Sequence, residues 1–187
     1  LVTKKYEVKG EKISYKYDPK EEMIFPRMGP TNDGESAAAF YQYWTGFQGE
    51  PTFGDNLKYF FHYQLRYMYW RYFMWNFAGR QDDLQGTPGN ERMNGDWLSG
   101  ISVVDNMHLS GTQEGLPDVL LKEKARNNFY LLPLILGLIG LIYMYQKNKQ
   151  QTIVFGLLFF VTGIALIIYT NQPPREPRER DYVLVGS

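Results

Sequence analysis

The chain contains no cysteine, which removes disulfides, thiolate nucleophiles and zinc-thiolate centres together and leaves no mark of a redox compartment. With only His62 and His108, a histidine-rich metal site is excluded as well. There is no excess charge of either sign: twenty basic residues balance twenty acidic ones. No global field therefore recruits nucleic acid, and no nucleic-acid-binding motif is present. The first residues, "LVTKKYEV", carry neither an initiator Met nor the charged-then-apolar pattern of a signal peptide, so the sequence reads as an internal piece of something longer. Internal repeats and low-complexity tracts are also missing.

What the chain does have is aromatic residues. They make up 17% of it, with fifteen tyrosines, well above ordinary globular usage. From Tyr59 to Phe77 eleven of nineteen residues are aromatic, and Leu65, Met68 and Met74 add to them. Thr52 followed by Asp55 fits a helix-capping pattern and Gly79 a helix stop, so residues 53–78 are predicted as one long helix, apolar nearly all round. His62, Gln64, Arg66, Arg71 and Asn76 interrupt it. Two arginines near its middle resist a spanning segment, whereas Tyr and Trp favour an interface where the ring is half dry. The expected place is the membrane surface, with a third, partly polar span as the alternative; either way the arginines should face water, a carboxylate or a ligand phosphate.

Two further stretches set the broad class. "FYLLPLILGLIGLIYMY" (Phe129–Tyr145) and "IVFGLLFFVTGIALIIY" (Ile153–Tyr169) carry no charge. At ~1.5 Å per residue each is about 25 Å long, near the lower limit for crossing a bilayer core. The fold class expected is a mainly α membrane protein. Its parts are a transmembrane hairpin (128–146 and 153–170) joined by a polar loop (147–152), an extramembrane α+β segment (1–52), and the aromatic interfacial helix. Within 1–52 a β hairpin around Gly10 precedes a short helix at Ser36–Trp44. Residues 79–127 read as a polar loop with a short helix from Pro117, and 171–187 as a Pro- and Arg-rich extramembrane segment. A count of flanking Lys and Arg puts both termini in the cytoplasm.

Two polar blocks are candidates for chemistry. "GRQDD" sets Arg80, Gln81, Asp82 and Asp83 just beyond the aromatic helix, without the D-x-D spacing of a sugar-nucleotide metal site. "NQPPREPRERDY" stiffens its backbone with prolines and projects Arg175, Arg178 and Arg180. The plain alternatives are a solvated helix end and an ordinary charged membrane flank.

The blocks "FPRM", "YMYWRYFMWNFAGRQDDLQG", "GDWLSGI", the apolar pair and "NQPPREPRERDYVLVGS" together resemble a family of large bacterial multi-pass membrane proteins, glycosyltransferase family 117. That family is related to the protein O-mannosyltransferase of the endoplasmic reticulum. The chain is similar to the middle of such a protein and lacks the early acidic loop of the GT-C class. The resemblance implies transfer of a sugar, mannose being expected, from a polyprenyl-phosphate donor to Ser or Thr of exported proteins, without metal or cofactor. It implies a bacterial inner-membrane location with the long segments periplasmic, against the charge count. Its partners would be the bilayer, the donor lipid, the acceptor protein and the rest of a longer chain or complex. It marks Trp70, Arg71, Trp75, Asn76, Arg80, Gln81 and Asp82, then Pro177, Arg178, Glu179, Arg180, Asp181 and Tyr182. No role is attached to any of them. A donor of this kind asks for Arg at its phosphate and Trp against its sugar, so Arg71, Trp75, Asn76, Arg80, Gln81, Asp82, Arg178, Glu179, Arg180 and Asp181 are the expected substrate-binding residues, in two blocks expected to meet. No catalytic base is identified. The reading from another class is a non-catalytic membrane subunit that binds a partner through the aromatic helix.

Overall fold

The computed structural model describes residues 22–29, 35–84, 93, 95–109, 111–172, 184 and 186. The hairpin expected around Gly10 and the block holding Arg178, Glu179, Arg180 and Asp181 lie outside the described residues, and so does any meeting of the two polar blocks.

The protein is mainly helical. Helix α1 (Glu35–Thr45) leads to α2 (Phe53–Tyr59), which runs without a break through a π-helical segment (Phe60–Trp70) into α3 (Arg71–Phe77). Thr52 starts this long aromatic helix by a reciprocal cap: the Asp55 N–H donates to its hydroxyl, and its own N–H donates to the Asp55 carboxylate at 3.0 Å. The hydroxyl's bond to that carboxylate is also the main reason Asp55 titrates below the ordinary carboxylate range.

One face of the aromatic helix packs on α1, where Phe40, Tyr41 and Trp44 meet Tyr59 and Tyr63 with ring centroids 5.1–5.2 Å apart. Edge-to-face and offset pairs of this kind add about 0.5–1.5 kcal/mol each beyond area burial. Another face packs on the second apolar helix, which consists of α7 (Lys149–Phe160), a second π segment (Val161–Ala165) and α8 (Leu166–Thr170). Phe60 lies by Ile167 while Tyr69 and Phe73 lie by Phe159, so the two run antiparallel. Gly163 makes the approach possible, since a Cβ there would fall 2.6 Å from the Tyr69 hydroxyl. The aromatic helix thus lies alongside Phe159–Ile167, in direct contact with it.

Arg27 fastens the junction. Its Nη1 donates to the Ile168 carbonyl at 2.9 Å, and its guanidinium lies 3.9 Å from the Phe25 ring centroid. Burial lowers its pKa from the ordinary arginine value.

The segment expected as a polar loop, 147–152, is helical except at one residue. α6 (Leu132–Lys147) ends and α7 begins on either side of Asn148, whose side chain accepts the Gln151 N–H at 3.1 Å and caps the second helix. Lys149–Thr170 is long and apolar enough to cross a membrane; α6, at 16 residues, is shorter. Neither α6 nor α7 buries a residue.

The region after Gly79, expected as a polar loop with a short helix from Pro117, has that helix and more structure besides. β1 (Gly79–Arg80) pairs antiparallel with β2 (Asn127–Asn128) and bridges to Trp97 on its other side. A short α4 (Ser102–His108) follows, and α5 (Asp118–Leu121) begins after Pro117. Asp105 anchors α4 by reaching back to the N–H groups of Ser99 and Gly100 at 2.8 and 2.9 Å.

Candidate functional site

Gly79 ends the aromatic helix with φ +123°, and a Cβ there would strike the carbonyl oxygens of Asn127 and Leu98. That close approach lets two strand fragments flank β1 and brings the following polar residues inward. Gln81 exchanges bonds with Asp96: its N–H donates to the Asp96 carbonyl at 3.1 Å, and its Oε1 accepts the Asp96 N–H at 3.0 Å. Asp82 accepts the N–H groups of Leu84 and Gly95 at 3.0 and 3.1 Å. Both side chains are buried, and both are engaged in holding the loop. Burial is the main cause that pushes the Asp82 carboxyl above its ordinary pKa, against the pull of its two N–H donors. Asp83 is exposed.

Arg80 is half-buried, with Nε donating to the Ala125 carbonyl at 3.1 Å. It lines an open cleft with Trp75, Asn76, Tyr72, Asn127 and Phe129. Three of the residues marked from the sequence therefore do come together: a guanidinium, an amide and an indole, at the foot of the apolar pair. Asn76 is exposed and donates to the Tyr72 carbonyl at 2.8 Å. The Trp75 Nε1 is buried without a hydrogen-bond partner among the described residues.

Arg71 opens elsewhere. Its Nε donates to the Tyr67 carbonyl and its Nη1 to the Gly95 carbonyl, both at 3.0 Å, and its guanidinium lies 4.7 Å from the Tyr67 ring and 4.6 Å from that of Trp75. Buried, it forms the floor of a second hollow, walled by His62, Arg66 and Trp70 from the π segment, by Trp44 from α1, and by Asp96, Trp97 and His108. The Trp97 and His108 rings stack 3.6 Å apart and within 3° of parallel, with the two imidazole nitrogens 3.0 Å from the Val104 and Trp97 carbonyls. π-helical turns recur at functional sites, and here one supplies one side of the wall.

The sequence grouping is thus divided by the aromatic helix. Trp75, Asn76 and Arg80 share the cleft, Arg71 belongs to the hollow, and Gln81 and Asp82 are internal. Residues missed from the sequence are Trp44, His62, Arg66, Trp97 and His108. His62, Arg66 and Trp70 follow a four-residue spacing that marks one helix face. Trp44, Trp97 and His108 come from three separate segments and carry no such signal.

Among the described residues no group of three or more His, Asp or Glu could hold a metal ion. Residues 2–61 match the model of a family of unknown function, DUF8416, which covers α1, α2 and the first turn of the aromatic π segment. No curated protein and no solved structure matches the chain.

Proposed function

We propose that the chain is a membrane-embedded segment of a GT-C glycosyltransferase, taking a polyprenyl-phosphate sugar, with mannose expected, and serving transfer to Ser or Thr of exported proteins. The carrying observation is the cleft of Trp75, Asn76 and Arg80 lying at the foot of an uncovered apolar helix pair. An indole face suits a sugar, an amide its hydroxyls, and a guanidinium a phosphate. Uncovered apolar surface on this scale is foreign to a water-soluble protein. The threonines of the second helix are satisfied within it: Thr152, Thr162 and Thr170 each donate to the carbonyl four residues earlier, at 2.8–3.0 Å. The two helices form a hairpin whose turn at Asn148 is cytoplasmic, in a bacterial inner membrane, with both long segments periplasmic and the aromatic helix set against Phe159–Ile167, the outer half of the second span.

One observation favours a second reading, a membrane subunit that binds without catalysing. Asp82, Asp96 and Asp105 all accept backbone N–H bonds, so none is poised as a base.

Two measurements test these readings. In intact cells a cysteine at Asn148 should resist a membrane-impermeant thiol reagent while one at Met107, 84% exposed, reacts. The reverse pattern would overturn the topology. Membranes given labelled polyprenyl-phosphate mannose should lose transfer when Arg80→Ala is introduced into the full-length protein. Labelling as expected, with donor bound but never transferred, would select the second reading.

A further inference from the structure

On the face of the aromatic helix away from the Arg80 cleft, the hollow over Arg71 adjoins an apolar groove. The groove runs between that helix and the second apolar helix, lined by Phe61, Leu65, Tyr69, Phe73, Phe159 and Ile164. Arg66 and Trp70 line both spaces, so they stand as the partition between a polar chamber and a greasy one. Trp70 is exposed, as is Arg66, which makes no hydrogen bond or ion pair to any described residue.

We propose that Arg66 and Trp70 seat one anionic bilayer phospholipid, with its phosphate in the hollow over Arg71 and one acyl chain in the groove. Charge fixes the head. Among the described residues lining the hollow, Arg66 and Arg71 outnumber the one carboxylate, Asp96, which already accepts the Trp97 N–H at 2.7 Å. Location fixes the tail, because one wall of the groove is the apolar helix itself, and whatever solvates that helix has access to it. A peptide would bring backbone N–H and C=O groups that these walls cannot satisfy. A free phosphate would leave the groove empty. The seat is separate from the Arg80 cleft, so it describes a resident lipid that fills the gap between the two helices, not the sugar donor. It rests on the membrane part of the reading above, and not on the transferase part.

The test uses the full chain in nanodiscs and tryptophan emission quenched by lipids with brominated acyl chains. Brominated phosphatidylglycerol should quench at about five- to tenfold lower mole fraction than brominated phosphatidylcholine, the preference expected of one or two arginines at the headgroup. Trp70→Phe should remove the preferentially quenched emission. Arg66→Ala should bring the two lipids near parity and Arg66→Lys should fall between, with circular dichroism unchanged because Arg66 holds no other part of the protein. Excess glycerol phosphate should not compete. Equal quenching by both lipids in the unaltered chain, or a preference that survives Arg66→Ala, overturns the seat. Competition by glycerol phosphate assigns the hollow to a free phosphate instead, and cross-linking of Trp70→Cys chains to one another assigns the groove to a second copy; either result overturns the proposal. A chain that does not enter nanodiscs at all overturns the membrane reading, and is thereby distinguished from failure of the lipid seat alone.

Discussion

The aromatic helix and the second apolar helix lie side by side, yet one surrounds its polar groups with protein and the other has almost none to surround. Gln64 and Arg71 in the first are buried and tied to protein: the Gln64 amide nitrogen donates to Asn171 Oδ1 at 2.9 Å, although its Oε1 has no partner among the described residues, and the Arg71 guanidinium donates to two carbonyls. In the second, the polar side chains past its first turn are Thr162, Tyr169 and Thr170, and its threonines bond to their own helix. Aromatic density and apolar density therefore do not report the same environment. Rings with polar neighbours make a wall that faces protein on two sides and hollows on the others; a long apolar run leaves a surface that the described residues do not cover. Arg66, at the border, is the arginine left without an internal partner.

If the aromatic body depends on its internal ties, the largest loss should come where its two halves pass closest. Gly79→Ala places a methyl against the carbonyls of Asn127 and Leu98 at a φ that L residues rarely adopt. Strain and overpacking together should cost more than about 3 kcal/mol, read as a lowered melting midpoint and early proteolysis within residues 79–128. The apolar pair should remain membrane-bound in the same variant. Loss of both at once would show that the two regions fold as one unit and erase the contrast between them.

The ends of the aromatic helix were legible in the sequence because they are local: Thr52 and Asp55 cap it, and Gly79 stops it, within a few residues of where the signals stand. The apolar helices were legible for the same reason. The ladder through Gly79 and Arg80 was not, because strands of two residues have no period to read, and their register is set by Asn127 and Trp97 from elsewhere in the chain. α4 was hidden because Asp105 anchors it through bonds directed backward, to Ser99 and Gly100. The turn at Asn148 was taken for a loop because Lys, Gln and Asn are polar, although all but one of those residues sit comfortably in helix. That Trp75, Asn76 and Arg80 share one cleft was legible because they are near in sequence, whereas the hollow's distant walls were not.

A smaller effect sharpens the role of Asp82 as an internal tie. Asp82→Ala leaves the N–H groups of Leu84 and Gly95 without their acceptor and should cost about 1–3 kcal/mol. Asp82→Asn keeps an oxygen for both without the buried charge and should be neutral to stabilising at pH 7. Their pH dependence has a definite sign. Burial raises the Asp82 pKa in the folded state above its unfolded value, so the folded protein holds the proton more tightly. The associated stability is present below the unfolded pKa, about 4, and is lost as pH rises through the folded one. Across that window the stability difference between the unaltered chain and Asp82→Asn should narrow on acidification. A difference that stays flat with pH would mean the carboxylate is not in the buried setting described.

The smallest effect separates two tyrosines of one cluster. Tyr59 is wholly buried, and its hydroxyl has no hydrogen-bond partner among the described residues, whereas the Tyr41 hydroxyl accepts the Gly29 N–H at 3.2 Å. The rings stand 5.1 Å apart and share their packing, so removing either oxygen changes little but the polar group itself. A buried hydroxyl without a partner costs about 1–3 kcal/mol in mutational data, and its removal opens only a small void. Tyr59→Phe should therefore be neutral or stabilising by up to about 1 kcal/mol, while Tyr41→Phe, which strands the Gly29 N–H, should destabilise by about 0.5–1.5 kcal/mol. Melting midpoints of the two variants in the same detergent decide it. The unfavourable setting of the Tyr59 hydroxyl also raises its pKa, through burial first and the neighbouring tyrosines second, so alkaline titration should leave Tyr59 unionised. If Tyr59→Phe instead lowers the midpoint as much as Tyr41→Phe does, the Tyr59 hydroxyl has a partner in the folded protein, and the dry aromatic face between α1 and the long helix must be opened to water or to another part of the chain.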